Sequence, residues 1–204
     1  MIRKKMRTKA QARRRDATAT RKAILASARQ AFARAGYDGV GVREIAQGAG
    51  VTAMMVNRYF GSKERLFAEV VAETIATPSI LTRENIASPT LGRDMAAALV
   101  EQTDTGAIPL DGFLIMLHSL SNKRAAHIER AMIEAHHQKA MTAALTGELA
   151  PQRAALVLSL IAGFQVMRQM IGLSALAEAD PKALVRILRP VFQRLVESKQ
   201  TRRH

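Results

Sequence analysis

The sequence predicts an all-α protein with an amino-terminal helix-turn-helix domain of three helices and a longer helical region behind it, about nine helices in total. Aromatic residues make up only 4% of the 204 residues, and no alternation of polar and apolar residues indicates a β-strand. Apolar residues instead recur at helical spacing between caps, glycines and prolines. Hydrophobic residues make up 48% of the chain, which is sufficient for a packed core.

Positive charge is concentrated in the first third of the chain. Residues 1–66 contain 16 Lys and Arg against 4 Asp and Glu, whereas the remaining residues contain 15 against 13. A polyanion is the simplest partner for such an end. The chain has no cysteine, which excludes disulfides and cysteine-bound metals and fits a reducing compartment.

Residues 1–17 form a basic segment without an apolar period, and we expect this segment to be disordered in the free protein. It is either a solvated tail or an arm that lies along phosphates or in a minor groove. A first helix is predicted from Thr18 or Thr20 through Ala35, with Gly36 as its C′ residue.

A helix-turn-helix pattern follows. Apolar residues at helical spacing occupy Val42–Gln47, Gly48-Ala49-Gly50 interrupts the period, and Thr52 is a suitable N-cap for a second helix over Ala53–Phe60. An ordinary helical hairpin has the same pattern, so this stretch alone leaves both a DNA-binding and a structural role open. Ser62 is predicted to cap the next helix. We place the helix-turn-helix domain at residues 18–66 and the second region at 67–200.

Several groups of residues at fixed spacing resemble the DNA-binding domain of the TetR/AcrR family of transcriptional regulators. They are Gly36-Tyr37, Val42-Arg43-Glu44-Ile45-Ala46, Ala49-Gly50-Val51-Thr52, Tyr59-Phe60, and Ser62-Lys63-Glu64 with Leu66-Phe67. The resemblance covers about Thr18 to Ala72, and the rest of the chain is similar to the family in length and helical character. It implies a cytoplasmic bacterial regulator, associated with the nucleoid through DNA, that forms homodimers and needs no cofactor.

The sequence departs from the usual family pattern at five positions. Val40 and Gly41 stand where Thr and Ser are common, so a cap and a phosphate contact of the second helix are expected to be missing. Met54 and Met55 replace a small residue and a Thr or Ala, and Asn57 replaces an aromatic residue. The last three lie on the exposed face of the recognition helix, so we expect a change in the DNA sequence that is read and no change in fold.

Eight residues are predicted to contact double-stranded DNA: Arg43, Thr52, Met54, Met55, Asn57, Arg58, Tyr59 and Lys63. The resemblance implies phosphate contacts for Thr52, Tyr59 and Lys63. Arg58 can bind guanine N7 and O6, and Asn57 can bind adenine N6 and N7. The two methionines offer apolar contact, for example to a thymine methyl group. The alternatives are that Tyr59 serves the core only and that Arg58 contacts a phosphate.

Within the second region a connector is predicted over Ser79–Pro89. Further helices are predicted over Thr90–Gln102, from Asp111, over Asn122–Leu145, from Pro151 to about Leu176, and from Asp180 onward. The Pro151 helix is apolar nearly all round, and its longest apolar run, Ala154 to Met167, is too short for a bilayer, so we predict a buried helix and no membrane partner.

One small domain cannot easily bury such a helix alone. The last two helices are therefore the predicted homodimer interface, where they would form a four-helix bundle with their copies. A self-contained monomeric core is the alternative.

The resemblance also implies a small-molecule effector in this region. The candidate ligand-binding residues are Phe113, Met116, Met132, Phe164, Met167 and Arg168. Met and Phe residues at helical spacing also occur in hydrophobic cores that bind no ligand. Arg168 within an apolar helix needs a partner or water, and the partner could be an anionic ligand or a carboxylate across the dimer. We expect no metal, because the adjacent His136 and His137 point in different directions on one helix.

These observations predict a ligand-responsive transcriptional repressor that a small apolar effector releases from a quasi-palindromic operator. The prediction of a repressor, as opposed to an activator, rests on the resemblance. No glycine-rich phosphate loop, nucleophile motif or metal spacing occurs in the sequence, so an enzyme is not expected. The alternative is an architectural or weakly specific DNA-binding protein, which would account for the charge and leave the large apolar region without a role.

Overall fold

The computed structural model describes the backbone of residues 2–76, 80–104 and 111–197, with side chains from Asp16 onward. In these ranges the chain is helical and contains no strand, so the predicted all-α class is confirmed. The helices are α1 Ile2–Ala35, α2 Val42–Gly48, α3 Ala53–Phe60, α4 Lys63–Ile75, α5 Arg83–Ala87, α6 Leu91–Gln102, α7 Asp111–Ser119, α8 Lys123–Ile133, α9 Lys139–Ala144, α10 Ala150–Gln165, α11 Ser174–Ala177 and α12 Pro181–Val196. Two π-helical turns occur at Glu134–Gln138 and Val166–Met170.

The described residues form two compact units. The first contains the residues up to Thr74 and those from Asp111 to Glu129, and the second contains the others. The first unit therefore holds α1 to α4 together with α7 and the first turns of α8. It combines the predicted helix-turn-helix domain with helices from the predicted second region.

Helix α1 begins at Ile2, well before the start predicted at Thr18 or Thr20. The segment that we expect to be disordered is thus helical from residue 2. No glycine or proline occurs between residues 2 and 35, and Ala, Arg, Lys and Gln are strong helix formers, which outweighs the local charge repulsion. The helix ends as predicted at Gly36, whose φ is 66° and whose N–H donates to the Phe32 carbonyl at 2.8 Å.

The helix-turn-helix consists of α2 and α3. The N–H of Met55 donates to Thr52 Oγ1 at 3.4 Å, so the predicted N-cap of α3 is present. The N–H of Arg65 donates in the same way to Ser62 Oγ at 3.2 Å, ahead of α4. Helix α2 has Gly41 at its N-cap and no side-chain cap, as its sequence predicts.

Helix α7 packs against α1 in the first unit. The Nδ1–H of His118 donates to the Ala33 carbonyl at 2.7 Å, and the N–H of Tyr37 donates to Ser119 Oγ at 3.0 Å. A Cβ atom at Gly36 would lie 2.2 Å from the His118 carbonyl oxygen, so only glycine permits this approach. The end of α1 and the end of α7 are therefore fixed to each other.

The second unit has its own core, in which α6 packs against α12 and α10 packs against α9 and α12. A Cβ atom on Gly92 of α6 would lie 2.9 Å from the backbone nitrogen of Gln193 on α12, so this crossing depends on glycine. The buried apolar residues are Ile80, Leu81, Leu91, Met95, Ala96, Leu99, Val100, Met141, Leu145, Ala154, Val157, Phe164, Leu184, Leu188 and Phe192.

Helix α10 is less buried than predicted. Only Ala154, Val157, Phe164 and Gln165 are buried along it, while Leu156 is 55% exposed. With the following π turn it forms a run of 21 residues, Ala150–Met170. Within the described ranges this is the one segment that is long and apolar enough, by length and composition, to cross a membrane. A single chain thus leaves much of this helix exposed, because the apolar residues surround the helix and the unit covers only one side of it. Its burial against a second copy stays a prediction.

Candidate nucleic-acid interface

Helix α3 presents one face to solvent and packs the other into the first unit. Val56 and Phe60 are 1% and 4% exposed, whereas Met54 is 80% exposed. Asn57 and Arg58 are also exposed. Neither side chain makes a hydrogen bond or an ion pair within the described part of the chain, so both are free to reach base edges.

Groups suited to phosphate oxygens lie beside this face. Thr52 Oγ1 accepts the cap hydrogen bond, which leaves its O–H to donate outward. The Nζ atom of Lys63 lies 4.4 Å from the centroid of the Tyr37 ring, a cation–π contact that fixes where its charge sits. Tyr59 is half-buried and Arg43 on α2 is exposed. Whether these residues contact DNA remains a prediction.

An aromatic cluster joins α1, the turn after it and α4. The Phe32 and Tyr37 rings each lie edge-on to Phe67, with centroids 5.1 Å apart in both pairs. Burial and the neighbouring Glu64 carboxylate raise the pKa of Tyr37. Ser27 Oγ donates to the Ile45 carbonyl at 2.8 Å and so fixes α2 on α1. Helix α2, which itself packs against α3, is thus hydrogen-bonded to α1.

The six candidate ligand-binding residues are divided between the two units. Phe113 and Met116 on α7 are half-buried in the first unit, whereas Met132 and Phe164 lie in the second. Met167 is 45% exposed. Their role in ligand binding remains a prediction.

Arg168 is 1% exposed and finds its partners within its own unit. Its Nε–H donates to the Leu176 carbonyl at 3.1 Å, and Nη1 donates to the Val100 carbonyl at 2.5 Å and to Thr103 Oγ1 at 3.1 Å. Asp104 lies 3.5 Å from Nη2. The carboxyl end of α6 and the Leu176 carbonyl of α11 therefore satisfy Arg168, so neither an anionic ligand nor a carboxylate across a dimer is needed.

One notable residue is absent from the predicted set. Glu129 on α8 is 3% exposed, and neither oxygen of its carboxylate has a hydrogen-bond partner among the described residues. Burial raises the pKa of Glu129 to about 7. The sequence holds a signal for it, since Ala125 and Ile133 stand four residues to either side on the helix and place the acid on an apolar face.

A capped helix with an exposed polar face, carried by an all-helical chain, defines a helix-turn-helix DNA-binding protein. Residues 24–70 match the family described as "Bacterial regulatory proteins, tetR family". Residues 90–196, just over half of the chain, match "Tetracyclin repressor-like, C-terminal domain". The chain belongs to the TetR family of DNA-binding transcriptional regulators, as its sequence predicts.

Known relatives are similar in sequence over part of the chain and in fold over most of it. The HTH-type transcriptional repressor AcnR of Corynebacterium glutamicum is 35% identical over 68 residues, which span 33% of this chain and only 36% of that protein. A TetR-family regulator from Streptomyces coelicolor A3 is 26% identical, with a TM-score of 0.51 over 88% of this chain and 95% of its own. The fatty acid degradation regulator FadR from Bacillus halodurans shares the fold at 17% identity, with a TM-score of 0.60 over 89% and 97%.

Proposed function

We propose that this protein is a homodimeric repressor of the bacterial cytoplasm. It binds a quasi-palindromic operator and is released when a small, largely apolar molecule binds in the helical region behind the DNA-binding domain. The observation that carries the proposal is the exposed face of α3. Asn57 and Arg58 make no side-chain hydrogen bond or ion pair with the residues that the structure describes, while Val56 and Phe60 anchor the helix. The partial similarity to the repressor AcnR supports repression over activation.

The apolar surface of α10 and α12 supports the homodimer. Ile187 and Val191 on α12 are 63% and 43% exposed, and Leu156 on α10 is 55% exposed. Contiguous exposed apolar patches mark interaction sites. A second copy would cover these residues in a four-helix bundle and would set two α3 helices about 34 Å apart, or a multiple of that, to read two half-sites.

Release follows if the effector binds more tightly to a conformation in which the two α3 helices no longer match the operator spacing. Helix α4 begins with Lys63, shortly after the end of α3 in the chain. A shift of α4 would therefore move the recognition helix and a predicted phosphate contact together.

Selection of bound duplexes from a random pool tests this function. We expect the selected duplexes to share a symmetric consensus. A screen of small molecules should then find one that releases the consensus duplex from the protein. Arg58→Ala should lose preference at one position per half-site, at a cost of about 1–3 kcal/mol for the preferred base. Lys63→Ala, the matched control, should weaken binding to all duplexes similarly and lower the salt slope by about one.

Two outcomes would contradict the proposal. If both variants lose affinity uniformly on every duplex, Arg58 does not read a base. If the protein is a monomer when it binds its best duplex, the α10–α12 interface is not used.

A further inference from the structure

The carboxylate of Glu129 has no role in the proposed DNA-binding function. It lies closed off from solvent on α8, and it is the one described side chain that buries polar atoms without a hydrogen-bond partner. Ala125 and Ala126, one turn earlier on the same helix, carry no donor that could reach it. A buried polar group of this kind destabilises the folded chain.

The absence of a partner is not explained by a shortage of cations. The chain has 31 Lys and Arg against 17 Asp and Glu. Elsewhere it satisfies a buried charge well, since the guanidinium of Arg168 has two carbonyls and a hydroxyl as acceptors. A methionine or leucine at position 129 would pack without this penalty. The described residues offer the carboxylate no donor, and a bound ligand with N–H groups would supply one.

We infer that Glu129 is the recognition carboxylate for an effector that carries a protonated amine or amidine on an apolar body. Both oxygens are available to N–H donors, and charge-assisted hydrogen bonds are strong where water is excluded. The inference rests on the proposed ligand-responsive function and deepens it, because it adds one cationic group to an effector that the sequence predicts only as apolar.

Helix α8 is tied to the DNA-binding helices at its first turn. The side chain of Asn122 caps α8 by accepting from the Ala125 N–H at 2.9 Å, and the same side chain donates to Asp38 Oδ1 at 2.8 Å. Arg124 forms an ion pair with Glu64 of α4. Glu129 stands less than two turns further along the helix, so a ligand bound there acts on an element that is bonded to the turn before α2 and to α4.

The closed position of the carboxylate makes binding depend on conformation. A ligand reaches Glu129 only if the side chains packed around α8 move, so binding favours a state in which this packing is rearranged. That differential affinity is what release of DNA requires.

Calorimetry with three probes of equal chain length tests the inference without DNA. The probes are decylamine, decan-1-ol and decanoate, each below its aggregation limit, titrated into the wild-type protein, Glu129→Gln and Glu129→Met. Glu178→Gln, which removes an exposed carboxylate, is the matched control. We expect wild type to bind decylamine at least tenfold more tightly than the other two probes, and both Glu129 variants to lose this preference while Glu178→Gln keeps it.

The inference is overturned if wild type does not bind decylamine, if it binds decan-1-ol or decanoate equally well, or if both Glu129 variants retain the preference. Two variants are used so that a folding defect of one, seen by circular dichroism, leaves the other as the test. Failure of the proposed function is distinguishable, because it would appear as the lack of a selected duplex for wild type in the absence of any amine.

Discussion

Thr52 shows how one hydroxyl serves both the fold and the proposed interface. Its oxygen accepts the N–H of Met55 at 3.4 Å, a long hydrogen bond, so Thr52→Ala should lower the free energy of unfolding by only about 0.5–1 kcal/mol, the low end for an N-cap. Thr52→Ser keeps the hydroxyl and should restore both stability and DNA affinity. Urea unfolding and duplex binding of the two variants measure this; equal values for Ala and Ser would contradict the capping role.

Glu129 gives a pH-dependent prediction at the same scale. Its pKa rises from 4.5 to about 7 on folding, so the folded protein holds the proton more tightly than the unfolded chain. The resulting penalty is absent below about pH 4.5, grows as the pH rises through this window and is complete above about pH 7. At about 1.4 kcal/mol per pKa unit, it reaches about 3 kcal/mol.

Glu129→Gln removes this titration. The variant should therefore gain stability over wild type as the pH rises from about 4.5 to 7, with a plateau above that range. Urea unfolding at a series of pH values measures the difference, with Glu178→Gln as the control for net charge. A difference that stays constant across the window would show that the carboxylate is not destabilised by burial.

At the scale of elements, the bounds of α2 and α3 were predictable because their signals are local. Thr52, the glycines after Gln47 and the four-residue spacing of Val56 and Phe60 all lie within the stretch that they define. The end of α10 was not predictable in this way. It passes into a π turn at Val166–Met170, where Arg168 bonds to Val100 far earlier in the chain, and no local pattern carries that pairing.

The exposed apolar face of α10 and α12 also gives a prediction at this scale. Ile187→Lys should shift the protein from dimer to monomer, because a charged side chain at 63% exposure is tolerated in water and is costly in a closed interface. Leu120→Lys replaces a residue of the first unit that is 55% exposed, and it should leave the dimer intact. Sedimentation velocity separates the two outcomes; a dimeric Ile187→Lys protein would place the interface elsewhere.

At the scale of the whole molecule, the sequence did not predict which helices share a compact unit. The sequence predicts a domain boundary near residue 66, yet α7 and the start of α8 share a compact unit with α1 to α4. The responsible contacts join positions more than 80 residues apart, such as Tyr37 with Ser119 and Asp38 with Asn122. Pairings of this length leave no period or motif in a single sequence.

The uneven charge gives a prediction for the whole chain. Eight Lys and Arg lie within residues 1–16, and their replacement by Gln should weaken binding to operator and random duplexes by a similar factor. The slope of log K against log salt should also become shallower, by about 0.9 for each DNA phosphate that these side chains neutralise in the wild-type complex. Titration of both duplexes at several salt concentrations measures this.

The same titration separates a specific regulator from an architectural protein. A specific regulator keeps its preference for the operator as salt is raised, whereas an architectural protein loses the little preference that it has. Similar affinities of the wild-type protein for operator and random duplexes once salt is raised would favour the architectural alternative.

The 80% exposure of Met54 has a consequence for redox chemistry. A thioether in water is open to peroxide, and its sulfoxide is polar, so oxidation would replace an apolar contact with a hydrogen-bond acceptor. In a major groove the same sulfur would be shielded. If Met54 contacts DNA as predicted, operator-bound protein would be protected from this oxidation. Protein free of DNA would lose affinity for its site and would depend on methionine sulfoxide reductase to recover it.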